Sequence, residues 1–202
     1  MVCRVVTDWE RVVEFHGHVC PGLAIGYRAA KLALERFLEK GGNLDDLYVI
    51  TENDACGVDA IQVLTGCTFG KGRLIYKDTG KMAYTFGSIS WGKGERLVVR
   101  GELWQRSSDQ EKLFNKILEK KATEEERKRF SELQNKRAEE ILTMPSDQLF
   151  KIQEVPFKVR PVRIFKSLTC SKCGESVMEP KARLYHGEIV CKDCFIDYKV
   201  CE

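Results

Sequence analysis

Cys170 and Cys173, followed after seventeen residues by Cys191 and Cys194, set a C-x2-C…C-x2-C pattern near the C-terminus. Each pair chelates one edge of a tetrahedral ion, and the segment between them must fold back as a hairpin or knuckle to bring the pairs together. The pattern predicts a small module built round a structural zinc ion, because so short a segment cannot draw enough stability from a core of its own.

The rest of the chain has room for one sizeable core. Its 202 residues are 43% hydrophobic and 31% charged, which suits a single domain with a satellite. The expected division is a core domain over residues 1–155 and a connector with the four-cysteine zinc finger over 156–202. The connector is read from Val155–Leu168, where Pro156 and Pro161 favour extended backbone. Arg4, Asp8, Glu10 and Arg11 interrupt the start, and no apolar run approaches the ~20 residues of a membrane span. A soluble, cytoplasmic protein is expected. Nine cysteines in a reducing compartment point to metal binding or thiolate chemistry rather than disulfides. The formal charge of +3 overstates basicity, since zinc with four thiolates adds about −2, so a general nucleic-acid surface is not implied.

Pro21 at a first helical position, then Leu23, Ala24, Tyr27, Ala30, Leu34 and Leu38, predict a long helix ending at Gly41-Gly42. Leu47–Thr51 reads as a short buried strand and Val58–Leu64 as a second helix. Strands are also expected at Arg73–Tyr76, Ala83–Phe86 and Arg96–Leu103. Residues 109–143 read as two charged helices, the second opened by a capping box of Thr123 and Glu126. Nine acids and nine bases between Asp109 and Glu140 cancel, which favours a solvated face over a partner-binding one.

A second cluster lies at His16-Gly17-His18-Val19-Cys20-Pro21. If the segment entering the helix is extended, residues 16, 18 and 20 project to one side, converging two imidazoles and a thiol. Cys20, as helix N-cap, would feel the positive end of the helix dipole, which favours thiolate. Cys56 occupies a similar place, between the strand Leu47–Thr51 and a helix starting near Gly57, and sites gather at such strand-to-helix loops. His16, His18, Cys20 and Cys56 are therefore the candidate ligands for a second zinc or other first-row metal with an open position. His18, Cys20 and Cys56 are the candidate catalytic residues. Set against this, a cysteine at a helix start is often a small hydrophobe, and a His pair can simply hydrogen-bond a turn.

Gly66–Gly72 carries only three residues between Gly66 and Gly70 and lacks Ser or Thr after Lys71, so it is not a phosphate loop. It is read as a tight turn bringing Cys67 and Lys71 near the pocket, with Cys67 either a further thiol of the site or a buried filler. His186 is expected to be a turn residue between the zinc pairs, Asp193 a surface charge, and Cys3 and Cys201 peripheral.

FHGHVCPGLAIGYRAA at Phe15–Ala30, ENDACGVDAIQVLTGCTFGKG at Glu52–Gly72 and DTGKMAYTF at Asp78–Phe86 resemble the FmdE family, the E-type component of formylmethanofuran dehydrogenase, over roughly residues 9–145. The trailing cysteines resemble the treble-clef zinc finger that many two-domain members append. The resemblance implies an α+β fold: a thioredoxin-like core with a mixed β-sheet flanked by helices, plus the small C-terminal treble-clef finger. It implies a site that holds a metal in some members, with His16, His18 and Cys20 from HGHVC, Cys56 from NDAC and Asp54 nearby. It also implies an association with methanofuran-linked one-carbon metabolism, in which molybdenum or tungsten subunits carry the catalysis.

Three functions follow. The chain is a metal-dependent enzyme or an accessory subunit of formylmethanofuran dehydrogenase, with that enzyme's subunits as partners. Alternatively it delivers a metal or cofactor, or it is a finger module binding nucleic acid or protein through Lys172, Lys181, Arg183, Lys192 and Lys199. The narrow apolar stripes of the 109–143 helices suit a homodimer, and no membrane partner is expected.

Overall fold

Thr7 opens the first helix, α1 (Asp8–His16), through a reciprocal capping box with Glu10. Gly17 ends it with φ 90°, a left-handed turn that returns its N–H to the Val13 carbonyl, a geometry glycine adopts without penalty. The structure, a computed structural model, describes residues 6–104, 107–160 and 164–196. Cys3, Lys199 and Cys201 lie outside the described residues. The chain forms two compact units, Met1–Arg160 and Pro161–Glu202.

In the first unit, α2 (Pro21–Glu39) starts on Pro21 with Cys20 as N-cap. Its buried face runs Leu23, Ala24, Ile25, Gly26, Ala29, Ala30, Ala33 and Phe37. These residues are mostly small, so neighbouring elements approach the α2 backbone closely. The nearest is α3 (Gly57–Thr65), which follows β1 (Leu47–Thr51). A Cβ on Gly26 would lie 2.0 Å from the carbonyl oxygen of Gly57, so the two helices cross where only glycine fits.

The sheet has the order β2-β1-β3-β4-β5, with β2 at Leu74–Tyr76, β3 at Ala83–Ser88, β4 at Lys93–Val99 and β5 at Phe150–Pro156. β1 and β2 are parallel, as a crossover through α3 requires, and the other pairs are antiparallel. The registers Val49↔Phe86 and Tyr84↔Leu97 align buried side chains on one face, where α2 covers them. Burial of each large apolar side chain there contributes about 1.5–3 kcal/mol. The opposite face carries Arg96, whose guanidinium grips the buried Glu52 carboxylate, itself also bonded by Thr79.

Two expected strand limits shift. β4 begins at Lys93, because the left-handed Gly92 turns the chain early into a tight hairpin, and it ends at Val99, after which Gly101–Trp104 forms a 3-10 turn. Part of the expected connector is sheet: β5 reaches Pro156, which an edge strand tolerates. The charged helices α4 (Ser108–Leu118) and α5 (Glu124–Thr143) form as expected, α5 behind its Thr123–Glu126 capping box. A short α6 (Ser146–Leu149) leads into β5. Arg28 of α2 ties down the end of α5 through the carbonyls of Ile141 and Leu142. No described helix is long and apolar enough to cross a membrane.

The second unit consists of two hairpins, β6 (Ser167–Thr169) with β7 (Ser176–Met178), and β8 (Arg183–Tyr185) with β9 (Glu188–Val190). His186 (φ 51°) and Gly187 (φ 84°) make the second turn, as expected of His186, and two left-handed residues match the twist of a two-residue hairpin.

Candidate metal centres

In the finger, the first turn carries Cys170 and Cys173, and the segment leaving β9 carries Cys191 and Cys194. The four sulfurs lie within 4.8 Å of one another. Cys170 accepts the Cys191 N–H at 3.3 Å. Backbone N–H groups of Cys173 and then Cys191 hold its thiol down to about 6, while the sulfurs of Cys191 and Cys173 push Cys194 upward. Four thiols packed this closely cannot all ionise without a cation among them. Asp193 is exposed and outside the group. Lys172, one of the basic residues of this unit, lies over the Tyr185 ring at 4.1 Å.

A second group forms in the first unit from His16, Cys20 and Cys56, again with donor atoms within 4.8 Å of one another. Three element ends position it: the last residue of α1, the N-cap of α2 and the N-cap of α3. His16 is therefore helical, not part of an extended strand, and Gly17 turns the chain so that α2 begins beside it. The expected alternation of 16, 18 and 20 does not occur, because the Thr7 capping box and the Gly17 cap extend α1 through His16. His18 is exposed, stacks its ring 4.5 Å from that of His16, and is not in the three-donor group.

Asp59, one turn into α3, accepts from His16 Nδ1 at 2.7 Å. An ionised carboxylate only accepts, so Nδ1 carries a proton, and in the neutral imidazole that leaves Nε2 presenting a lone pair. That Nε2 lies 3.9 Å from Cys20 Sγ, close to the ~3.6 Å edge that zinc–nitrogen and zinc–sulfur bond lengths give on a tetrahedron. A carboxylate behind a histidine in this way is how metal-binding imidazoles are oriented. The residues thus fit a first-row metal with three protein ligands, and Gly22 leaves space over the sulfurs: a Cβ there would meet Cys56 Sγ at 3.9 Å and Cys20 Sγ at 4.0 Å.

Cys20 Sγ accepts the Leu23 N–H at 3.4 Å, yet its thiol is pushed up to about 11. Burial is the largest cause, the N–H of Leu23 opposes it, and the nearby Cys56 adds to the rise. The expected dipole-driven thiolate is corrected: desolvation and a second sulfur outweigh one helix end, and a cation is what would ionise the pair. Tyr84 of β3 approaches the same place. A Cβ on Gly57 would lie 2.6 Å from its hydroxyl, which is fully buried and has no hydrogen-bond partner among the described residues. Burial pushes this phenol up, the neighbouring Asn53 side chain opposes the rise, and nearby Cys56 adds to it.

Asp54 is exposed. Cys67 is buried in the main core and donates to the Leu47 carbonyl at 3.3 Å, a filler rather than a ligand. Lys71 bonds the Gly66 carbonyl at the C-terminal end of α3, roughly 15 Å from Cys56 at 1.5 Å per residue, not near the pocket. Sequence reasoning missed Asp59, which had a signal, since a residue three beyond Cys56 shares its helix face.

Residues 15–151 match the family described as "FmdE, Molybdenum formylmethanofuran dehydrogenase operon". The chain belongs to the FmdE family. Residues 163–199 match the prokaryotic dksA/traR C4-type zinc finger, making this a two-domain member. A protein of Archaeoglobus fulgidus named "Probable S-adenosyl-L-methionine-binding protein" is 36% identical over 183 residues, covering 86% of this chain and 49% of that protein. The chain thus spans about half the length of that relative. A tungsten formylmethanofuran dehydrogenase FmdE-like protein from Syntrophus aciditrophicus shares the fold at TM-score 0.59 and 24% identity, over 92% of this chain and 88% of that one.

Proposed function

We propose that this FmdE-family chain is a metal-binding protein with two sites of different purpose: a structural zinc in the finger, and a first-row metal held in the core by His16, Cys20 and Cys56. The observation that carries the reading is the Asp59–His16 bond, which fixes Nε2 as the free donor beside Cys20. A metal there would supply Lewis acidity at its open position. Gly22 keeps the approach to the two sulfurs clear, and His18, exposed beside His16, stands where it can hold or pass a proton for an incoming ligand. The family's tie to the formylmethanofuran dehydrogenase operon makes the subunits of that enzyme the partners to test. The mixed sheet, with β3 antiparallel to its neighbours and helices α2 and α3 packed near it, supports a thioredoxin-like core.

Elemental analysis tests the core site. The intact chain should carry two metals, and Cys20→Ala or Cys56→Ala one; two metals retained in both variants would remove the core site. A second reading rests on the Archaeoglobus relative: the open position faces a small metabolite, with S-adenosylmethionine the first to try. Equilibrium dialysis with and without core metal tests it, and no uptake in either form ends it.

A further inference from the structure

Away from both cysteine groups, the first unit holds a cavity of about 230 Å3 under the C-terminal end of α2. Its floor is apolar, built from Ala33 and Phe37 of α2 and Phe86 of β3, all buried. Trp91, in the turn between β3 and β4, makes an exposed wall with its ring 4.9 Å from that of Phe37. These walls are braced. A Cβ at Gly42 would lie 2.4 Å from the Phe37 ring, so the chain leaving α2 backs that ring. Gly87 alternates with Phe86 and turns to the other side of the sheet, where Phe157 closes the reverse: a Cβ at Gly87 would lie 2.4 Å from its ring. An apolar cavity of about 150 Å3 takes benzene, so this one has room for a single aromatic ring and one small polar group. Phe37 lies about 25 Å along the helix from Cys20, which separates the cavity from the core metal group.

The rim decides the charge of the ligand. Arg36, Lys40 and Lys93 bring three cations to the cavity lining against two carboxylates, Glu95 and Glu154. Arg36 donates Nε and Nη2 to Glu95, Lys40 donates to the same carboxylate, and Lys93 pairs with Glu154. The Arg36 bonds, opposed by burial and joined by Lys40, hold the Glu95 carboxyl down to about 2. Both acids are thus engaged, and one positive charge of the lining is left over. Arg36 Nη1 makes no hydrogen bond among the described residues, and Lys40 uses one of its three donors.

We propose that this cavity binds a small aromatic carboxylate, with the ring against Trp91 and the apolar floor and the acid group at the mouth on Arg36 and Lys40. The ring suits walls that are themselves aromatic, and the acid suits the spare cationic donors. The proposal does not rest on the core metal.

Benzoate, titrated into the intact zinc-loaded chain and followed by amide and indole NMR, tests it. Shifts should saturate and centre on the Trp91 indole N–H and the Gly94 amide. Benzamide, the neutral analogue, should bind about tenfold more weakly, and benzylamine, the cationic one, more weakly still. Lys40→Gln changes a half-exposed position and leaves Glu95 to Arg36; it should weaken benzoate about threefold and leave benzamide unchanged. Trp91→Ala should weaken both about fivefold. Benzoate that does not saturate, that shifts residues elsewhere, or that binds no better than benzamide or benzylamine overturns the proposal. So does wild-type benzoate affinity in either variant.

Discussion

Asp59 Oδ2 accepts from His16 Nδ1 at 2.7 Å, joining the first turn of α3 to the last residue of α1. That bond holds the imidazole in one orientation and, in its neutral form, in one tautomer. Asp59→Asn, which exchanges a carboxylate for an amide of the same shape, should weaken core metal binding by about 10–100-fold. The finger should keep its metal. Chelator competition resolves the two sites, and equal loss from both would show that Asp59 does not act through His16.

Gly26 and Gly57 set the depth of the α2–α3 crossing. With a Cβ of residue 26 at 2.0 Å from a backbone oxygen, Gly26→Ala has no flexible neighbour to displace, so the helices must part. Overpacking of this kind costs about 1–3 kcal/mol, which for a domain of this size is about 2–12 °C in Tm. Because Cys20 and Cys56 cap the same two helices, core metal affinity should fall with it. A variant melting at the wild-type temperature would show that the helices do not meet at this glycine.

The finger was legible because its chemistry is local: four cysteines at fixed spacing have one common solution. The long helix from Pro21, the strand Leu47–Thr51 and the capping box at Thr123 were legible for the same reason. The core site was legible in composition but not in geometry. His16, Cys20 and Cys56 stand out as residue types, yet whether His16 or His18 faces the sulfurs depends on where α1 ends, and Gly17 with the Thr7 box decides that. Asp59, which orients His16, is brought there by the α1–α3 packing, which no short window of sequence contains. β5 was hidden by Pro156, whose edge position makes it harmless.

Cys20 gives the core a pH signature. Its thiol moves from an ordinary 9.0 to about 11, chiefly because burial disfavours the thiolate. The folded protein therefore holds this proton to higher pH than the unfolded chain does, so the contribution is fully present below pH 9.0 and is lost as pH rises toward about 11. Denaturant unfolding of reduced, metal-free protein should show stability falling through that window. Other groups titrate there too, so the readout is the difference from Cys20→Ala, which should fall less steeply. Parallel curves would show that the Cys20 thiol is not desolvated in the fold.

Zinc removal should dissect the two units. The finger's described hairpins bury little: Leu184 is 71% exposed and Met178 50%, leaving Cys170 and Val190 as its fully buried apolar side chains. Without a cation the close sulfurs also lose their reason to converge, so binding energy and folding energy are the same quantity here. Cys170→Ser should therefore abolish hydrogen-exchange protection over residues 167–190, while protection in β1 and β3, whose stability comes from apolar burial under α2, stays at the wild-type level. If strands β6–β9 remained protected in the variant, or if β1 and β3 lost protection with them, the finger would not be a separately zinc-folded unit.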